Sequence, residues 1–312
     1  MTKIICGVDV SKDHLDASIG LAGAQVRVAN AAEGIAELIV FCRHHDAELV
    51  VLEATGGYER LTFSLLWEAG MACAVVNPRQ VRRLAEAMGF LEKTDRIDAA
   101  VIARYGEVCQ PEPRTPADAN QDRLRALVTR LRQITVIKTT QTNQRRLVRD
   151  PSALASIDEI LSVIKRQVRT LSAEIAALIG DDPLWQALDQ AFREIKGVAD
   201  HTVATLMAEF AEIGTISNKA AGKLAGLAPM AKDSRKHSGK RRVHGGRRSL
   251  RAILFVVADV VRRHNPDFAD FHRRLSQAGK SKKEIRVALA RKLLVRLNAK
   301  ARDVRATITM TA

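Results

Sequence analysis

The period of hydrophobic and polar positions changes repeatedly along the first hundred residues. Residues 4–10 (IICGVDV) are an apolar run rich in β-branched side chains that carries one acid, Asp9, near its end; this predicts a buried strand. Residues 14–21 (HLDASIGL) alternate and predict a second strand, and 24–30 a third. A helical period follows near 32–45, then a strand at 49–53 (LVVLE). After Thr55-Gly56-Gly57 come a helix from about 58 to 69, a strand at 73–77, a helix opened by Pro78 and running to about 87, and, beyond Gly89, a helix over roughly 94–107. Residues 110–119 (QPEPRTPADA) hold three prolines and read as a linker.

Beyond that linker the pattern is helical throughout. Leu124, Leu127, Leu131 and Ile134 mark one face of a helix that Asp150-Pro151 ends. Leu154, Ile157, Leu161, Ile164, Val168, Leu171, Ile175 and Leu178 then alternate steps of three and four, a heptad seam. Such a seam suits a hairpin within the chain, pairing with another subunit, or both. Residues 184–230 predict three short helices. The junction Ile195-Lys196-Gly197-Val198-Ala199 resembles a helix-hairpin-helix turn, which holds a phosphate on backbone N–H groups. Ala199 stands where its second glycine belongs, so an ordinary helix turn competes with that reading. Residues 231–248 (AKDSRKHSGKRRVHGGRR) lack apolar periodicity and predict a long basic loop. Helices follow near 247–264, 266–277 and 282–300, the last opened by a capping box of Ser281 and Glu284. The fold class is therefore α/β plus all-α. Three hairpin-like strands followed by α/β/α/β/α is the ribonuclease H order. The expected domains are 1–110, α/β; 111–183, linker and coiled-coil helices; and 184–312, mainly helical.

Charge alters this picture. The net charge of +15 is concentrated at one end: residues 1–110 hold 11 basic and 15 acidic side chains, and residues 219–312 hold 25 and 6. So basic a region predicts binding to a nucleic-acid backbone, weakening steeply with salt. No apolar run reaches membrane-spanning length and the N-terminus lacks a leader pattern, so we expect a cytoplasmic protein, associated with the nucleoid when it acts on DNA. Cys6, Cys42, Cys73 and Cys109 are widely spaced, which predicts free thiols rather than disulfides or a zinc site.

Two clusters carry candidate chemistry. Asp9 and Glu53 lie on predicted strands that can be neighbours, and Asp95 and Asp98, three apart, share a helix face. Four converging carboxylates repel one another unless cations neutralise them, and hard, oxygen-seeking Mg²⁺ suits the task. The plain alternative for Asp95 and Asp98 is a solvated helix face. The second cluster is Asp233-Ser234 with Lys236, His237, Ser238, Lys240, Arg241, Arg242, His244, Gly245 and Gly246, and the candidate nucleic-acid-binding cations are Lys232, Lys236, Lys240, Arg241, Arg242, Arg247 and Arg248. A serine among cations suits covalent attack on a phosphodiester, while a basic loop whose serines only hydrogen-bond phosphates is the alternative.

At these residues the sequence resembles a known family, the DEDD transposases of bacterial insertion sequences that use a bridge RNA. The resemblance rests on GVDVSK at 7–12, LEATGGY at 52–58, NPRQVRRLAEAMG at 77–89, KTDRIDAAVIARY at 93–105, and GLAPMAKDS with GKRRVHGGRRSLR over 226–251. It implies a RuvC-like N-terminal domain, a coiled-coil connector and a helical C-terminal transposase domain. It also implies that Asp9, Glu53, Asp95 and Asp98 hold Mg²⁺ and that Ser234 is the nucleophile. The family pattern places a glycine after that serine; here Arg235 occupies the position, and Ser238-Gly239 forms a rival pair. The implied partners are donor and target DNA, an element-encoded bridge RNA that chooses sequence by pairing, and copies of the chain assembling as dimers and then tetramers. Two other readings remain open at this point: a RuvC-like junction nuclease that uses water as nucleophile, and a non-catalytic RNA-binding protein.

Overall fold

A computed structural model describes residues 3–90, 95–116, 118–230, 233–234, 237–238 and 242–311. The chain forms two compact units, Met1–Ala117 and Asp118–Ala312.

The first unit is a mixed five-stranded sheet flanked by helices. Its elements are β1 (Ile5–Val10), β2 (His14–Ile19), β3 (Gln25–Ala29), α1 (Ala32–His44), β4 (Leu49–Glu53), α2 (Glu59–Glu68), β5 (Cys73–Val76), α3 (Pro78–Ala87) and α4 (Asp95–Cys109). The strand order is β3-β2-β1-β4-β5; β2 runs antiparallel to β1 and β3, while β1, β4 and β5 are parallel. A central strand buried on both faces needs apolar residues at successive positions, which is why IICGVDV does not alternate. Cys6, Val8 and Val10 join a core with Ile35, Leu38 and Cys42 of α1 and Leu66 of α2. Ile5 points the other way, into a core with Val51, Val81 and Ala85 of α3 and Val101 and Ile102 of α4. Cys6, Cys42 and Cys73 are buried free thiols and Cys109 is exposed. Burial, with the neighbouring Cys42, pushes the Cys73 thiol up to about 12, so it stays neutral.

The second unit is built of helices: α5 (Ala119–Arg145), α6 (Pro151–Asp181), α7 (Pro183–Arg193), α8 (Asp200–Glu209), α9 (Asn218–Leu224), α10 (Arg248–His264), α11 (Pro266–Gln277) and α12 (Lys282–Thr311). Asp118, Asp150 and Asp182 cap the N-termini of α5, α6 and α7 through their carboxylates. The long helices α5 and α6 pair with each other. Leu161, Ile164, Ile175 and Leu178 of the heptad seam are buried, as are Leu124, Val128, Leu131 and Ile134 of α5. The seam therefore closes a hairpin within the chain. Val136, Ile137, Ile160 and Val163 stay exposed on the outer faces, and near the hairpin tip Arg145 forks onto Asp158 at 2.5 and 2.9 Å. One core joins the roots of both helices to α7, α8, α10 and α12. In α12, Asn298 is fully buried; it accepts from Gly214 N–H at 2.8 Å and donates to Ile216 O at 3.0 Å, which fixes the turn between α8 and α9.

The basic segment departs from the predicted irregular loop. Between α9 and α10 lie two short antiparallel ladders: β6 (Pro229–Met230) with β9 (Arg242–Val243), and β7 (Asp233–Ser234) with β8 (His237–Ser238). Two-residue strands leave no room for an apolar period, so nothing in the sequence announces them.

Candidate active site

Strand alternation decides which face each acid occupies. With Cys6, Val8 and Val10 in one core, Ile5, Gly7 and Asp9 project to the opposite face, beneath α4. On β4 the same face takes Val51 and Glu53. The parallel register pairs Val8 with Leu52, so the next position sets Asp9 beside Glu53. Both acids are half-buried.

Helix α4 is pressed onto this face by a missing side chain. A Cβ on Gly7 would lie 2.2 Å from the backbone nitrogen of Ala103 and 2.4 Å from the carbonyl oxygen of Ala99. One turn further along the helix, a Cβ on Gly106 would lie 2.6 Å from Ile5 Cγ2 and 2.9 Å from Val51 Cγ2. The helix thus runs against the strand direction: Gly106 sits over Ile5, and Ala103 and Ala99 sit over Gly7. That progression carries the first turn of α4, with Asp95 and Asp98, toward the end of β1 that bears Asp9. Asp98 is half-buried; the side chain of Asp95 lies outside the described residues. A helix N-terminus offsets part of the repulsion among carboxylates, by about 0.3–1 kcal/mol each. Asp9, Glu53 and Asp98 each take part in a polar or electrostatic interaction.

Among the described side chains, which omit that of Asp95, no three His, Cys, Asp or Glu groups gather closely enough to hold an ion by themselves. The donor set is nevertheless of one kind. It consists of carboxylates only, with the three buried thiols, Cys6 of β1 included, turned into the core on the opposite face of the sheet. Hard oxygen donors of this sort fit Mg²⁺ rather than a thiophilic metal.

The row extends across the sheet to residues that sequence reasoning missed. Asp16 pairs with Asp9 in register and Arg27 with Asp16, so Arg27, Asp16, Asp9 and Glu53 stand side by side on four strands. Arg27 forks onto Asp16 at 2.8 and 2.9 Å. The alternation of residues 14–21 gave the face of Asp16, but only strand pairing brings the two charges together.

In the second unit, Ser234 faces His237 across a ladder, and Ser238 faces Asp233. The segment holding them is pinned at its base. Gly226 (φ +65°) and Gly246 (φ +64°) cross so closely that a Cβ on Gly246 would lie 2.3 Å from the nitrogen of Gly226 and 2.6 Å from Leu224 O. Arg247 N–H donates to Leu224 O at 2.8 Å, and Arg251 donates from its guanidinium to Gly245 O.

The candidate phosphate-binding cations divide. Arg247 is engaged within the protein: it forks onto Glu212 at 2.7 and 2.5 Å, reaches Glu209 O at 2.7 Å and lies 5.7 Å over the Phe210 ring. Arg242 and Arg248 are exposed. Lys232, Lys236, Lys240 and Arg241 lie outside the described residues. Beside Arg247, Glu209 accepts from Arg132 at 2.9 Å and from the Ser249 hydroxyl. Burial pushes its carboxyl up, against the pull of Arg132 and Arg247. At the junction before α8, Gly197 (φ +104°) allows close approach to α10, a Cβ there lying 3.1 Å from the nitrogen of Val261. The first residue of α8, Asp200, pairs with Arg193 at 2.5 Å, so this helix end already carries a carboxylate.

Comparison with known proteins covers both units. A family model described as transposase, of the DEDD type found in IS110, matches residues 6–148. A second, described as transposase of the IS116/IS110/IS902 family, matches residues 189–273. The pilin gene-inverting proteins of Moraxella lacunata and Moraxella bovis are each 27% identical over 319 residues, covering 94% of this chain and 94% of the relative.

Proposed function

This chain belongs to the IS110 family of transposases, and we propose that it cuts and rejoins donor and target DNA through a serine–DNA intermediate, directed by an element-encoded RNA that pairs with both. The observation that carries this reading is the Asp9–Glu53 pair set beneath the helix whose first turn bears Asp95 and Asp98.

Asp9, Glu53, Asp95 and Asp98 would hold Mg²⁺, which when bound would supply positive charge against the phosphate and the departing oxygen. The remaining work falls to side chains. The hydroxyl oxygen of Ser234 bonds to the scissile phosphorus as the bond to the bridging DNA oxygen breaks, and the serine proton ends on that departing oxygen. The phosphodiester energy is kept in the serine ester. A hydroxyl of the new partner strand then attacks the ester, and its proton returns to Ser234. Arg242 and Arg248, with Lys232, Lys236, Lys240 and Arg241, draw in the backbone. With two tryptophans, two tyrosines and eight phenylalanines in 312 residues, the chain has few rings for stacking on bases. Sequence choice therefore falls to the RNA. The chain works as dimers that assemble into tetramers, the acids of one subunit meeting the serine of another. Support for assembly comes from Val136, Ile137, Ile160 and Val163, which the hairpin leaves exposed.

The test is denaturing electrophoresis of reactions containing protein, guide RNA and labelled DNA. A protein–DNA adduct is expected for wild type and for Ser238→Ala, and none for Ser234→Ala. Mg²⁺-dependent cleavage without any adduct would replace the proposal with a hydrolytic junction nuclease. RNA binding without cleavage would make the protein a non-catalytic binder.

A further inference from the structure

Charge across the acidic face does not stop at the proposed metal carboxylates. Asp16 is 8% exposed and is the cross-strand neighbour of Asp9, on the same face. On the far side it pairs in register with Arg27, which forks onto both of its oxygens at 2.8 and 2.9 Å. Bidentate pairing of this kind fixes a carboxylate in plane and direction. Asp16 and Arg27 also line a cavity of about 320 Å³ together with Ala99, the residue that follows Asp98 in α4. The pair therefore borders the acids from two sides, along the sheet through Asp9 and beneath the helix through Ala99.

Resting on the metal reading above, we propose that Asp16 and Arg27 are a positioning pair for the cation site. Arg27 fixes the Asp16 carboxylate and offsets its charge, so that a bound ion would be drawn to Asp9 and Glu53 rather than toward β2. Left bare, Asp16 would be a fifth carboxylate one strand from Asp9. It would draw the cation toward β2, away from the acids on β1, β4 and α4. The guanidinium left alone would instead oppose a divalent ion. Opposite single-charge changes must therefore shift metal binding in opposite directions. A pair that served only to hold β2 to β3 would shift stability and leave metal binding alone.

The experiment measures Mn²⁺ binding to the full-length protein by calorimetry, with melting temperatures recorded without metal. Arg27→Gln is expected to tighten binding about tenfold and Asp16→Asn to weaken it about tenfold. That is the order of effect one charge exerts on a divalent ion across a strand spacing in a partly screened site. The double variant should return to within about threefold of wild type, because two opposite charge effects on the same ion cancel when they add. Arg27→Lys, which keeps the charge, should also stay within about threefold. Unchanged affinity in both single variants overturns the proposal, as do shifts of the same sign or failure of the double variant to recover. If wild type binds no Mn²⁺, or Asp9→Asn binds it as well as wild type, the metal reading itself falls and the pair with it.

Discussion

The two units hold their candidate groups by opposite means. In the sheet unit, each acid stands on a regular element, and three elements meet with no side chain between β1 and α4 at Gly7. In the helical unit, the serine stands on a two-residue strand, and Gly226 and Gly246 cross closely where the chain leaves and rejoins the helices. The difference teaches what each task requires. Carboxylates that share a cation must keep fixed separations, and packed secondary structure supplies that. In the proposed reaction, a serine that meets its phosphate only once DNA is in place would be positioned by that assembly rather than by the free chain.

Perturbations that touch one unit and spare the other put this contrast at risk. The largest expected effect is on chemistry. Asp9→Asn or Glu53→Gln should reduce Mg²⁺-dependent DNA cleavage at least about 1,000-fold. Melting temperature should hold or rise, because one member of a repelling set loses its charge. A loss of stability matching the loss of activity would mean that these acids serve the fold.

Next in size is Gly7→Val, which forces atoms into the backbone of α4 and should cost roughly 3 kcal/mol by urea titration. It should also abolish cleavage by lifting the first turn of α4. Retained cleavage would show that the acids do not depend on this contact.

Gly246→Ala should cost about 1–2 kcal/mol, from a left-handed backbone and a clash with Gly226. It should impair adduct formation while leaving Mn²⁺ affinity at the wild-type value, since the sheet unit is untouched. Equal damage to both would erase the distinction drawn between the units.

The smallest effect concerns Asp259 of α10. Burial raises its carboxyl, but Arg286 and Arg262 outweigh burial and hold it below the usual carboxylate range. A depressed carboxyl contributes stability above its unfolded value and loses it as pH falls through its folded value. Asp259→Asn should therefore cost at most about 1 kcal/mol at pH 7. The gap from wild type should close below about pH 4. A gap that is the same at pH 3 and pH 7 would mean that the ion pairs contribute nothing.

Much of the sheet unit could be read from the chain because its signals are local. The buried run at β1, the alternation of β2 and Pro78 at the start of α3 each act within a few residues. Asp9, Glu53 and Asp98 could be nominated for the same reason, as acids at the ends of periodic segments. What the chain did not disclose depends on pairing at a distance. The Asp16–Arg27 ion pair exists only through the β2–β3 register. The heptad seam of α6 could not name its partner, which proved to be α5 of the same chain. Helix α12 runs to Thr311 rather than 300. Its apolar period thins after Ala301, but Arg305 ties it to the carbonyls of Ile213 at 2.9 Å and Ala211 at 2.9 Å. Arg247 looked like a phosphate ligand from its basic neighbours and instead met Glu212, 35 residues away.

The crossing of Gly226 and Gly246 has a consequence for how such a protein can change. The two backbones meet at one knot of the chain, so whatever is threaded between them starts and ends at the same place. Lengthening that insert adds only loop-closure entropy, about 0.6 kcal/mol for each doubling. The helices beneath would not register the change. An insert tied at both ends in this way could change in length or composition without moving the scaffold that carries it.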